Sequence, residues 1–340
     1  MTRQRTTTIL RRAALCAALA ASLIGVQPAG AQSKPVNLTI GSFAQGSSWY
    51  VYSVNLGELL RAALPPGSTV DTPPIAGGLA NPQLVASGKA QLAFGMAVVG
   101  AWALEGNHGF NAPLPDLRAL VGGWDDYFLV PIARGSGYAA DMTDFFKTVR
   151  PTAKVTLLQR GSIGAFGGQQ LLEIAGADEK ALSAQGGRYE YGTFDMVKNR
   201  FSGGSGDVFV QVATLGHPSI TEIAQSTKIT FLEPSKAVLG EMTRRYGWEV
   251  KALPKGTFPG QDKDVPLPST TTVLFASTAM SDDLAYTIVK TVCERTDKLR
   301  AAHKALANFD CADKTWTREQ TGLPLHSGAA RYFRERGWLK

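Results

Sequence analysis

Histidine and cysteine are scarce in this 340-residue chain, with four of the first and three of the second. No cysteine has a partner at Cys-x-x-Cys or histidine spacing, which excludes the usual structural zinc sites. There is no Gly-x-Ser-x-Gly elbow, no Walker loop, no His-Glu-x-x-His pair and no Gly-x-Gly-x-x-Gly fingerprint. Hydrolase, nucleotide, metallopeptidase and dinucleotide chemistry thus lack their common signatures. Charge is also modest, at 19% of residues. The formal balance of +7 owes four of its cations to Arg3, Arg5, Arg11 and Arg12, and without them 31 basic residues face 28 acidic ones, or +3. That is no nucleic-acid footprint. Beyond the N-terminus no apolar run reaches the roughly 18 residues of a membrane span.

What is present begins with a three-part leader. Residues 1–12 are basic, residues 13–26 are a run of mostly Ala and Leu, and Ala29-Gly30-Ala31 supplies small residues before Gln32. This is the pattern of a signal peptide over residues 1–31, and it predicts export to the periplasm of a mature chain of about 309 residues. Cys16 leaves with the leader. Cys293 and Cys311 remain, and in an exported protein they either pair or stay as two buried thiols.

Hydrophobic residues at 44% are enough for a packed core. Residues 36–41 alternate like a strand, a small-residue loop follows at 42–48, and Leu56, Leu59, Leu60, Ala63 and Leu64 recur at helical spacing until Pro65-Pro66-Gly67. Val70 opens a second strand. After the loop at 76–80, Asn81 can cap a short helix with Pro82 at its first position and Gly88 past its end. Residues 91–96 read as a strand. The rhythm returns with a strand at 154–158, a loop at 160–164 and a helix at 165–175, then a strand at 207–212 and a helix at 219–224. Ser281 caps a long helix carrying Asp282 and Asp283 in its first turn. Such β-α alternation predicts mostly parallel sheets covered by helices.

No catalytic constellation emerges. Gly203-Gly204-Ser205-Gly206-Asp207 precedes a strand, whereas a phosphate loop follows one, so it reads as a turn. His108 lies in a loop and His303 on an apolar stripe. His217 and His326 sit beside helix starts, where packing or capping is the expected role. Asp125-Asp126 reads as an exposed turn. The recurrent device is different: loops 42–48, 76–81 and 160–164 each follow a strand and open a helix. Unless their glycines only permit tight turns, they leave N–H groups free at positive helix ends, where carboxylates bind. In open α/β sheets these loops meet at the carboxyl ends of the strands. Arg160 could add a bidentate partner for a carboxylate, and Trp49 and Tyr50 flat walls.

These stretches carry a family resemblance. Ile40-Gly41-Ser42 through Gly46-Ser47-Ser48-Trp49-Tyr50, then Gly77-Gly78-Leu79-Ala80-Asn81 with Ala86-Ser87-Gly88-Lys89-Ala90-Gln91-Leu92-Ala93-Phe94, resemble the opening loops of the TAXI solute-binding proteins of TRAP transporters. Gly161-Ser162, Gly206-Asp207-Val208-Phe209 and Gly216-His217-Pro218 resemble that family's later motifs. Leu323-Pro324-Leu325-His326-Ser327-Gly328-Ala329, running on to Tyr332-Phe333-Arg334-Glu335-Arg336-Gly337, is the most specific match.

The resemblance implies a two-lobed, type II-like periplasmic binding fold with a hinge between lobes, each lobe a mixed sheet flanked by helices. Lobe I would take residues 32–127 with 269–340, and lobe II residues 128–268. It implies capture without catalysis, no cofactor or metal, a monomer, and transient docking on TRAP membrane subunits; no nucleic acid takes part. An ABC importer, a sensor kinase or a secreted α/β hydrolase or transferase are the rival assignments. The expected ligand residues are Ser42, Ser47, Trp49, Tyr50, Gly77, Gly78, Asn81, Met96, Arg160, Gly161 and Ser162. Against the family pattern, Ile163-Gly164 stands for Gly-Thr, Leu79 for Ser, and Met96-Ala97-Val98 for Gln-Ser-Asp. These exchanges remove polar groups and suggest a monocarboxylate with an apolar or aromatic body rather than an acidic amino acid or dicarboxylate.

Overall fold

The computed structural model describes residues 34–340 apart from Ile75, Ala76 and Ala139. The leader at 1–31 and Ala76 of the second loop lie outside the described residues.

The first lobe begins with β1 (Asn37–Gly41) and α1 (Ser48–Ala63). Ser47 caps α1 by accepting from Tyr50 N at 3.2 Å. Trp49, Tyr52, Leu56 and Leu60 form its buried stripe. Strand β2 (Thr69–Asp71), α2 (Ala80–Ala86), β3 (Leu92–Met96), α3 (Ala97–Glu105) and β4 (Leu117–Val121) follow. Helix α3 starts directly at the end of β3, and its uniformly apolar sequence hides any helical period.

The second lobe opens with β5 (Asp126–Arg134) and β6 (Lys154–Leu158), then α4 (Ile163–Ile174), β7 (Arg188–Gly192), α5 (Phe194–Ser202) and β8 (Val208–Thr214). It continues with α6 (Pro218–Ser226), β9 (Ile229–Phe231), α7 (Lys236–Tyr246) and β10 (Glu249–Leu253). The long β11 (Val265–Ser277) leads to α8 (Asp282–Glu294), α9 (Thr296–Ala302) and α10 (Ser327–Glu335).

The strands run in the order β2-β1-β3-β11-β5-β8-β6-β7. Parallel pairing holds where the β-α rhythm predicts it, between β1 and both β2 and β3, and between β6 and both β7 and β8. Every antiparallel pair involves β5 or β11. The expectation of mostly parallel sheets therefore applies to the flanks, and the exchange strands reverse direction. β11 is the reason. Its residues up to Thr271 pair with β10 and β5, whereas Thr272 onwards pairs with β3 and β4. Residues 122–125 carry the chain across from β4, which pairs with Leu274–Ser277 of β11, to β5, which pairs with its Ser269–Thr271 part.

Phe128, Val130 and Ile132 of β5 enter one hydrophobic cluster while Leu129 and Ala133 enter the other, so both faces of this strand are covered. The larger cluster is continuous across the lobes. Its bridge is Trp102 of α3, whose Nε1 donates to Tyr246 O at 2.7 Å and whose ring packs edge-on against Trp248 and Phe166. The lobes are thus in contact along one side.

Three local expectations resolve. Cys293 and Cys311 are disulfide-bonded, with Cα atoms 5.4 Å apart. His326 caps α10, its Nδ1 accepting from Gly328 N and its Nε2 meeting Met280 O at 3.0 Å. Asp125 is the correction: it is 7% exposed rather than at a surface turn, because it belongs to a crossing segment enclosed by both lobes.

Candidate functional site between the lobes

Two helix N-termini face each other across the cleft. Ser47 and Ser48 open α1 from the first lobe, and Ser162, Ile163 and Gly164 open α4 from the second. Each cap serine accepts from the third residue of its helix, Ser162 Oγ from Ala165 N at 3.2 Å. The amides of Ser48, Trp49, Ile163 and Gly164 have no acceptor among the described residues. The corresponding end of α3 is occupied, since Val98 N donates to Thr270 Oγ1 of β11.

Between these ends lies a pocket of about 470 Å³, its open mouth included. Phe43, Trp49 and Met96 line it from the first lobe, Leu158, Phe194 and Val212 from the second, and Tyr127 at the crossing. Among the described residues no Asp, Glu, Lys or Arg lines it. Its polar side chains are neutral: Ser47, Ser48, Tyr127, Ser162, Gln211 and His217, with the indole of Trp49. Ser48 Oγ, Gln211 Oε1 and His217 Nδ1 are buried without a hydrogen-bond partner among the described residues. Burial, with the nearby His303 adding to it, pushes His217 down to about 4, so its ring is neutral at pH 7.

Two glycines shape the walls. Gly78, at φ 51°, lies so close to α4 that a Cβ would come within 2.9 Å of Ile163 N. At Gly164 a Cβ would fall 1.6 Å from Gln211 Oε1, so the missing side chain is the space the glutamine carbonyl occupies.

Behind Trp49 stands a buried polar cluster. Trp49 Nε1 donates to Thr272 Oγ1 at 3.0 Å, and Tyr52 hydroxyl donates to Asp125 Oδ2 at 2.8 Å. Burial pushes the Asp125 carboxyl up to about 7, although the hydrogen bond from Tyr52 and the nearby Thr272 and Thr214 hydroxyls oppose the rise. The cluster joins α1, both crossing segments and the end of β8.

Of the residues expected from sequence, Ser47, Trp49, Gly78, Met96 and Ser162 line the pocket. The others lie elsewhere. Asn81 is fully buried and works as a brace: its Nδ2 donates to Ser42 O and Phe94 O, and its Oδ1 accepts from Gly77 N. Ser42 Oγ donates to Pro73 O. Tyr50 is half-buried and turned from the pocket, and Gly161 is exposed beside it. Arg160 is exposed too, with its guanidinium 3.8 Å over the Tyr191 ring, so it does not enter the cleft as expected. Sequence reasoning missed Gln211 and gave His217 a packing role. β8 is buried at all seven positions, so no alternation marks its cleft-facing side.

A family model described as the NMT1-like family matches residues 40–337. The chain belongs to this family. Among solved structures, the periplasmic binding protein BugD is similar at 15% identity with a TM-score of 0.52, over 90% of this chain and 95% of that one. MatC from Rhodopseudomonas palustris, solved with malate bound, is similar at 13% identity and TM-score 0.53, over 89% and 97%. The family member described here thus has the fold of periplasmic binding proteins. Among its described residues, no helix is long and apolar enough to cross a membrane.

Proposed function

We propose that this protein is a periplasmic solute-binding protein that captures a small organic acid between its lobes and delivers it, unchanged, to a TRAP-type transporter. The observation that carries the reading is the pair of α1 and α4 amino ends, one from each lobe, aimed into a pocket without charged side chains. Their unpaired amides and dipoles suit a carboxylate. Only the closed form offers both ends at once, so ligand shifts the population towards closure. Malate in MatC supports the carboxylate class. The apolar lining favours a monocarboxylate with an apolar or aromatic body. We place the lobe boundary at residues 122–125 and between Thr271 and Thr272, slightly inside the expected 127 and 269. Capture makes and breaks no bond, so it needs no acid–base pair. The leader-like N-terminus supports the periplasm, and the TAXI resemblance supports the TRAP partner.

A thermal-shift panel of organic acids tests the reading. Apolar-bodied monocarboxylates should raise Tm, by the stabilisation of about 2.7 kcal/mol expected at a hundredfold excess over Kd. Shifts from glutamate or 2-oxoglutarate alone would reject the monocarboxylate assignment, and no response to any acid would reject capture. Cells lacking the TRAP membrane subunits should lose uptake of the active acid, and unchanged uptake would remove that partner.

A further inference from the structure

We propose that the ligand carries, besides its carboxylate, one uncharged O–H or N–H donor accepted by Gln211 and His217, so that the solute is a hydroxylated or N–H-bearing aromatic monocarboxylate. This rests on the capture proposed above and names the class of solute captured. Gln211 is 4% exposed and His217 is 8% exposed, and both line the pocket. Each leaves a buried polar atom, Gln211 Oε1 and His217 Nδ1, without a partner among the described residues, and the imidazole nitrogen accepts in the tautomer that carries its proton on Nε2. Such groups are normally paired in a folded protein, and an orphan in a binding cleft marks where a ligand donor belongs.

The placement of Gln211 is built into the fold. Its carbonyl lies on the first turn of α4 in the space a Gly164 side chain would fill. The Gln211 carbonyl beside the α4 amino end repels a second carboxylate, which disfavours dicarboxylates. A cationic amine is disfavoured as well, because no acid lines the pocket and two positive helix ends face it. A neutral donor is what remains. Trp49 and Phe43 on one wall and Phe194 on the other, beside His217, suit a flat ring between them.

The test is isothermal titration of the full mature protein with three matched pairs: benzoate and 4-hydroxybenzoate, phenylacetate and 4-hydroxyphenylacetate, 3-phenylpropionate and its 2-hydroxy derivative. In at least one pair the hydroxylated acid should bind about tenfold more tightly or better, since a site built to accept a hydrogen bond discriminates against the analogue lacking the donor. In Gln211→Leu that preference should fall below about threefold. If this variant does not fold, Gly164→Ala displaces the same carbonyl and should show the same loss. Equal affinities within all three pairs, or a preference that survives the substitution, would overturn the donor assignment. If none of the six binds while an aliphatic control such as hexanoate does, the aromatic class is overturned and capture is left intact. Silence from every carboxylate would sink both.

Discussion

Asp125 is the residue whose environment differs most from what its neighbours in sequence suggest. It lies on a segment where the chain changes lobes, its carboxyl enclosed by Tyr52, Thr214 and Thr272. With its folded pKa raised from 3.8 to about 7, the native state holds a proton that the unfolded chain releases in that interval. The stability it contributes is full below pH 3.8 and is lost as pH rises through 7, an effect on the order of 4 kcal/mol. Asp125→Asn keeps an acceptor for Tyr52 and removes the titration. Urea unfolding at pH 5 and pH 8 should show wild type losing markedly more stability than the variant over that step. Parallel losses would mean that the carboxyl does not titrate there. His217 works with the opposite sign. Its pKa, depressed to about 4, makes stability fall as pH drops from 6.5 towards 4, and because wild type and Asp125→Asn share this histidine, its contribution cancels in their comparison.

Among the elements, those with local punctuation were legible. Ser281 was legible as a cap because capping needs only a few contiguous residues, and Ser47 and Ser162, read only as parts of loops, cap their helices in the same way by accepting from the third residue. Helix α3 was not legible, since a run apolar on every side carries no period. Arg160 was misplaced for another reason: charge and loop position gave no account of where its long side chain lands, and Tyr191 on the neighbouring β7 holds it outside. The disulfide is also an element-scale feature. It ties the end of α8 to Cys311 across a separation of 18 residues that includes α9, which packs against α1. Closing a loop of this length stabilises by about 3 kcal/mol in the chain-entropy model. The Cys293→Ser, Cys311→Ser double variant should lose roughly 2–4 kcal/mol in urea unfolding, and unchanged stability would show that packing of α8 and α9 suffices.

At the scale of the whole molecule, closure depends on how near the lobes come. Gly78 is a close approach, because its positive φ and the backbone of Ile163 leave no room for a Cβ. In Gly78→Ala the strain of a non-glycine residue in the left-handed region, roughly 1–2 kcal/mol, adds to that clash. The variant should stay folded yet bind the active acid about tenfold more weakly or worse. Small-angle scattering should show that ligand no longer reduces its radius of gyration as it does for wild type. Undiminished compaction would mean that the Gly78–Ile163 approach is not part of closure. The Trp102 contacts with Tyr246, Trp248 and Phe166 also join the two sides.

Sequence alone determined the β-α rhythm, the helix starts and the small-residue loops. These depend on hydrogen bonds and periodicities completed within a few residues. Five of the eleven expected ligand residues line the pocket, and all five lie within or beside those loops or strand ends. Tertiary structure alone decided the rest. It split β11 between two lobes, brought Gln211 against Gly164 from 47 positions away, turned His217 into the cleft and buried Asp125. Such pairings arise only when distant strands come together, and neither partner's immediate neighbours carry a mark of the other.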